Sequence, residues 1–168
     1  MPRLTPTLGR DRRGAVYVEY LLAFVPVVAF FISTWQFIEL CAADLVLKRA
    51  ASAAARAAVV VLPDDPHFYE GAEVNQFVGE KKSDVMLAAA IVLGTMCVPN
   101  VMSVPSHFTT FDVALDGEMK ESKPLTATVK ASFYCGTGWA SLVCGGATRE
   151  LTAKATYAYQ GAGFKYEL

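Results

Sequence analysis

The sequence lacks the residue patterns on which most catalytic and metal sites depend. It has only two histidines, His67 and His107, and neither stands at a metal-ligand spacing from cysteines or carboxylates. There is no Cys-x-x-Cys pair, no Gly-x-Ser-x-Gly and no glycine-rich loop followed by lysine. These absences predict that the chain is not an enzyme and holds no metal and no cofactor.

A basic stripe is also missing. The formal net charge is −1, and lysine and arginine are spread along the chain rather than gathered on one segment. Nucleic-acid binding depends on such a concentration of positive charge, so we expect no nucleic-acid partner.

Apolar residues, in contrast, are abundant. They make up 54% of the chain, which is more than an ordinary soluble domain contains and indicates a membrane segment. Residues 15–38 form an apolar run interrupted only by Glu19, Ser33, Thr34 and Gln36. As a helix this run is long enough to cross about 30 Å of hydrocarbon. The short segment before it is basic, so the N-terminus is expected in the cytoplasm and the rest of the chain outside.

Three kinds of leader can precede such a run. The apolar core is too long for a secretory signal peptide, and Cys41 lacks the small residues that precede a lipoprotein cysteine. The third kind is a class III leader, in which a prepilin peptidase cuts on the cytoplasmic side after a glycine. Gly14 and Ala15 fit the two sides of such a cleavage site, which makes residues 1–14 the leader and Glu19 the fifth residue of the mature chain.

Glu19 is the unusual feature of the run. A carboxylate within hydrocarbon costs roughly 2.5–3.5 kcal/mol on insertion scales, so it is a functional candidate. Cleavage after Gly14 would create an α-amine on Ala15, and that amine could neutralise Glu19 of a neighbouring chain in a helical stack. The alternative is that Glu19 lies near the membrane surface and reaches water.

The stretches GAVYVEYLLAFVP (residues 14–26) and LKRAASAAARAA (residues 47–58) resemble the N-terminal third of TadE/TadF-like pseudopilins of tight-adherence pili. Tyr20, after the glutamate, stands where TadE-like chains often have phenylalanine. The resemblance implies a minor pseudopilin of the bacterial inner membrane, with a periplasmic domain that reaches the cell exterior after pilus assembly. Its implied partners are prepilin peptidase, other pilins and inner membrane lipid, and Glu19 and Tyr20 would set subunit register.

The pattern of residues from 15 to 168 predicts an α+β fold. One helix over residues 15–62, with a possible kink at Pro26, should end before Pro63 and Pro66. A periplasmic domain over residues 63–168 follows, with a loop or short helix at 67–80 and a second helix at 83–94, capped by Ser83. Apolar and polar residues then alternate over 109–115, 125–134 and 151–159, which predicts an antiparallel sheet of three or four strands.

Four cysteines are present: Cys41, Cys97, Cys135 and Cys144. We favour a disulfide between Cys135 and Cys144, which flank a glycine-rich connection, although Cys97 competes for either partner. Cys41 is expected to be a buried thiol in helix packing.

Two functional hypotheses remain at this point. The first is the pseudopilin. The second is a periplasmic binding module or enzyme tethered by an uncleaved signal anchor. A mature N-terminus at Ala15 favours the first, and an intact Met1 favours the second.

Overall fold

The protein is an α+β chain in which one very long helix is followed by a short helix and a three-stranded sheet. The computed structural model describes residues 13–70, 72–94, 108–117, 123–135, 144–159 and 161, with only the backbone of Arg13 and Ala15. Helix α1 spans Arg13–Val61, a 3₁₀ turn spans Pro66–Phe68, and helix α2 spans Gly79–Leu93. The strands are β1 (Phe108–Asp116), β2 (Lys123–Tyr134) and β3 (Thr148–Tyr159).

Helix α1 runs through Pro26 without a break. Its 49 residues give a length of about 73 Å at 1.5 Å per residue. The high helix propensity of alanine accounts for its second half. Asp44 and Lys48, one turn apart, form an ion pair with the two charged atoms 2.8 Å apart. The helix ends where expected, just before Pro63.

The second half of α1 supplies one wall of the core. Buried residues recur every three or four positions and form a stripe on one face. These residues are Leu40, Ala43, Leu47, Ala50, Ala51, Ala54, Ala55, Ala58 and, just after the helix, Leu62. Because alanine dominates the stripe, the backbone of α1 can approach the sheet closely, and α1 packs on β2 and β3.

The sheet is antiparallel in the order β1-β2-β3. One face, which includes Leu125, Val129 and Phe133, is buried, whereas the opposite face is polar and more exposed. This is the predicted alternation. A register shift between Phe108 and Thr110 turns Phe108 toward the core, where its ring meets that of Phe133 edge to face.

One predicted detail of the second helix is wrong. The helix begins four residues earlier than its proposed cap, at Gly79, and Ser83 lies inside it. Val78 occupies the N-cap position without a side-chain hydrogen bond, and Gly79 adopts a positive φ of 55° that favours glycine. The end of the helix at Gly94 is as predicted.

Lys81 ties α2 to the end of α1. Its side chain is fully buried, and its ammonium group donates to the carbonyl oxygens of Leu62, Asp64 and Glu73 at 3.1–3.4 Å. It also lies 5.3 Å from the centre of the Tyr69 ring. Burial lowers the pKa of Lys81, although the nearby carboxylates partly oppose that change.

Two tyrosines of β3 fix the other side of α1. The Tyr157 hydroxyl bonds to Ser52 Oγ at 3.0 Å and accepts from Arg56 Nε at 2.9 Å, and these hydrogen bonds lower its pKa. Tyr159 donates to Asn75, and burial raises the pKa of Tyr159 to about 12. The backbone N–H of Asn75 donates to the carbonyl oxygen of Leu62, so Asn75 lies beside the end of α1. Tyr157 therefore meets the helix earlier than Tyr159 does, and β3 runs in the same direction as α1.

We expect Lys81→Met to destabilise the domain by about 1–3 kcal/mol, because the carbonyl of Asp64 then loses its donor. Lys82→Met is the matched control, since Lys82 is exposed and a change there should stay within about 0.5 kcal/mol. Chemical denaturation followed by circular dichroism measures both. Equal unfolding midpoints for the two variants would contradict this role of Lys81.

Candidate functional site: the exposed half of helix α1

The first half of α1 carries the candidate site because it projects beyond the domain. No residue with a described side chain between 16 and 35 is buried, and most are exposed apolar residues. The first buried residue along the described part of the helix is Gln36, which is 5% exposed, and buried residues recur from Leu40 onward. Within the described residues, α1 is the single helix whose length and composition suit a membrane crossing.

The exposed segment has the length that a bilayer requires. Residues 16–35 extend about 30 Å as a helix, which matches the hydrocarbon thickness. Monomeric soluble proteins rarely expose an apolar surface of this size, and such surfaces mark sites of membrane or protein contact. The segment is therefore a candidate for contact with lipid or with other helices.

The polar residues predicted to interrupt the segment are accommodated in different ways. Ser33 and Thr34 donate their hydroxyl groups to the carbonyls of Ala29 and Phe30, one turn earlier, at 2.8 and 2.9 Å. These bonds satisfy the hydroxyls within the helix itself, as a membrane requires. Gln36 is different, because its buried side-chain nitrogen finds no hydrogen-bond partner in the described structure.

Glu19 is exposed on this segment, and the described part of the chain contains no ion pair to it. Tyr20 is also exposed, and its ring stacks on that of Phe24 with 5.5 Å between centroids. Gly14, Ala15, Glu19 and Tyr20 thus lie within two turns of α1, and Gly14, Glu19 and Tyr20 are exposed. Residues 1–12 of the predicted leader lie outside the described residues.

Gly14 has no local structural requirement. A Cβ atom added to it would meet no atom within 4 Å, and its φ is outside the left-handed region. Glycine inside a helix costs about 1 kcal/mol relative to alanine. The helix alone therefore gives no reason for glycine at this position.

A second aromatic group marks the other end of the segment. Trp35 is 59% exposed, and its indole Nε1 donates to Glu39 Oε1 at 2.7 Å. Neither residue is among the site residues predicted from the sequence. The sequence pattern could nevertheless have indicated them, because the apolar run ends with a tryptophan that is followed one turn later by a carboxylate.

The cysteines confirm one prediction and correct another. Cys135 and Cys144 form a disulfide with their Cα atoms 6.5 Å apart. Cys135 is buried on the same face as Ala131 and Phe133, as the strand alternation predicted. Cys41 was predicted to be buried, but its thiol is free and exposed in this chain because it lies away from the buried stripe of α1. Cys97 lies outside the described residues.

The described surface also has a depression outside helix α1. A shallow depression of about 540 Å³ lies at one end of the sheet, between Thr110, Lys130, Thr148 and Glu150. It is open to solvent and encloses no nucleophile paired with a base. Among the described residues, no group of three or more histidine, cysteine or carboxylate side chains is placed to hold a metal ion.

Comparisons with protein-family models, with curated proteins and with solved structures found no match to this chain.

We predict that peptide mapping of unreduced protein from the native envelope links the peptides of Cys135 and Cys144 and leaves Cys41 alkylated. The bridge closes a short loop and should contribute about 2–3 kcal/mol. A link from Cys97 to either cysteine would refute the pairing. Four free thiols would argue against an oxidising compartment for this domain.

Proposed function

We propose that this chain is a structural and assembly protein, a minor pseudopilin of a tight-adherence pilus. It is anchored by α1 in the bacterial inner membrane, with residues 63–168 in the periplasm. Prepilin peptidase removes residues 1–14, and the mature chain packs with other pilins through α1. The observation that carries the proposal is the division of α1 into one half that builds the domain core and one half that the domain leaves exposed.

That division suits a protein that moves between two apolar environments. In the membrane, lipid surrounds residues 16–35. In a filament, the helices of neighbouring subunits would surround the same residues. A helix that served only as a tether would need the apolar surface but not the carboxylate at its cytoplasmic end.

Gly14 and Glu19 support the same proposal. A Cβ atom at Gly14 would meet no neighbour, so packing gives no reason for glycine there, and recognition by a peptidase would supply one. Glu19 is free to pair with another subunit, because the described part of its own chain offers no partner. Its natural counterpart is the α-amine that cleavage creates on Ala15.

We expect Gly14→Val to leave a precursor of unchanged size in cells that contain prepilin peptidase, because the branched side chain obstructs the scissile bond. The substitution should not disturb folding, since the added atoms meet open space. Mass spectrometry of the N-terminus measures cleavage, and thermal unfolding of the same sample is the control. Wild-type cleavage of the variant, or an intact Met1 in the wild type, would overturn the leader assignment and favour a tethered periplasmic module.

We expect Glu19→Ala to insert into the membrane and to be cleaved, but to enter pili poorly. The variant leaves the Ala15 amine of a neighbour unpaired in a medium of low dielectric constant. Glu19→Asp, which keeps the charge on a shorter side chain, should recover part of the incorporation. Immunoblotting of sheared pili against membranes measures the ratio, and a wild-type ratio for Glu19→Ala would exclude the pairing.

A further inference from the structure

The border between exposed and covered helix coincides with a change in chemistry. From Tyr20 to Ile38 the chain contains no charged residue, and Glu19 and Glu39 stand at the two ends of this stretch. Twenty residue steps separate the two carboxylates, which places them about 30 Å apart along the helix. That spacing equals the thickness of the hydrocarbon layer.

Aromatic residues accompany both carboxylates. Tyr17 and Tyr20 are exposed beside Glu19, and Trp35 is exposed beside Glu39. Tyrosine and tryptophan concentrate at the two membrane surfaces, where the ring contacts acyl chains and the polar group meets water or headgroups. Their positions therefore mark two surfaces of one bilayer.

The indole N–H of Trp35 has a hydrogen-bond partner on its own helix. Glu39 lies one turn further from the membrane and accepts the indole N–H. The carboxylate favours water strongly, whereas the indole ring favours the apolar side of the boundary. The hydrogen bond between them therefore keeps the indole ring and the carboxylate together at one level of the helix, with the carboxylate on the water side.

We propose that Trp35 and Glu39 seat the protein at the outer lipid–water interface and fix how deeply α1 lies in the bilayer. The partner is the phospholipid surface itself, and the covered helix from Gln36 onward stands directly on it. This inference rests on the membrane-spanning part of the proposed function. It does not depend on cleavage or on a pilus.

Depth can be measured by fluorescence quenching with the full chain in phosphatidylcholine vesicles. Trp139→Phe leaves Trp35 as the one tryptophan. Bromine atoms on the lipid chains, placed either near the headgroup or near the bilayer centre, quench a nearby indole. We expect the label near the headgroup to quench Trp35 at least twofold more strongly. Stronger quenching by the central label, or none by either, would overturn the proposal.

Two transplanted tryptophans calibrate the measurement in a background that carries Trp35→Phe and Trp139→Phe. Phe30→Trp places an indole on an exposed site beside the midpoint between Glu19 and Glu39, where the central label should quench it best. Leu45→Trp places one on an exposed site ten residues beyond Trp35, where neither label should act. These controls show that the vesicles contain a spanning helix.

The role of Glu39 is tested by Glu39→Leu, with Glu39→Gln as the matched control that keeps an acceptor for the indole. Removing the carboxylate lengthens the apolar run, so Trp35 should sink and its quenching should shift toward the central label. Glu39→Gln should shift it less. Equal quenching ratios in Glu39→Leu and the parent protein would refute the part assigned to Glu39.

The outcomes separate this inference from the proposed function. If Gly14 is not a cleavage site but Trp35 lies at the headgroups, the pseudopilin proposal fails and the depth assignment stands. If cleavage occurs but Trp35 lies at the bilayer centre, the depth assignment alone fails.

Discussion

The structure depends on one helix whose two halves have different surroundings: the second half is part of the domain core, and the first half is exposed. Leu40 and the alanine stripe of α1 form a wall of the core, so the domain cannot fold without the second half of the helix. The first half continues the same hydrogen-bonded rod but receives no cover from the domain. Because a helix is stiff over this length, any force that moves the exposed half also moves the domain. The exposed segment and one wall of the core are thereby joined in a single element.

The polar contacts that fasten the domain to α1 lie far from the exposed half of the helix. Lys81 holds the carbonyls at the end of the helix, and Tyr157 bonds to Ser52 and Arg56. Nearer the exposed half, the wall of the core consists of apolar packing around Leu40 and Ala43. Directional polar contacts therefore set the orientation of the domain at the end remote from the exposed half, while non-directional packing serves the end next to it.

Part of this arrangement could be predicted from the sequence. The three strands follow from an alternation that survives because one face of the sheet is buried, as Leu125 and Val129 show. The long helix follows from alanine content and from the prolines that end it. The start of α2 could not be predicted in this way, because Ser83 is a good cap by residue type, whereas the chain begins the helix at Gly79 through backbone conformation. The burial of Lys81 was equally hidden, since its carbonyl partners come from an irregular connection that only the tertiary structure assembles.

The spacing of the two carboxylates changes how Glu19 should be understood. If Glu39 marks the outer surface, a helix of this geometry places Glu19 at the inner surface, about 30 Å away. There the carboxylate reaches water and costs far less than it would at the bilayer centre. The need for a partner would then arise only when the helix leaves the bilayer and enters a dry stack of helices. A carboxylate that is tolerated in the membrane and costly in an incorrectly registered filament would penalise wrong assembly without hindering insertion.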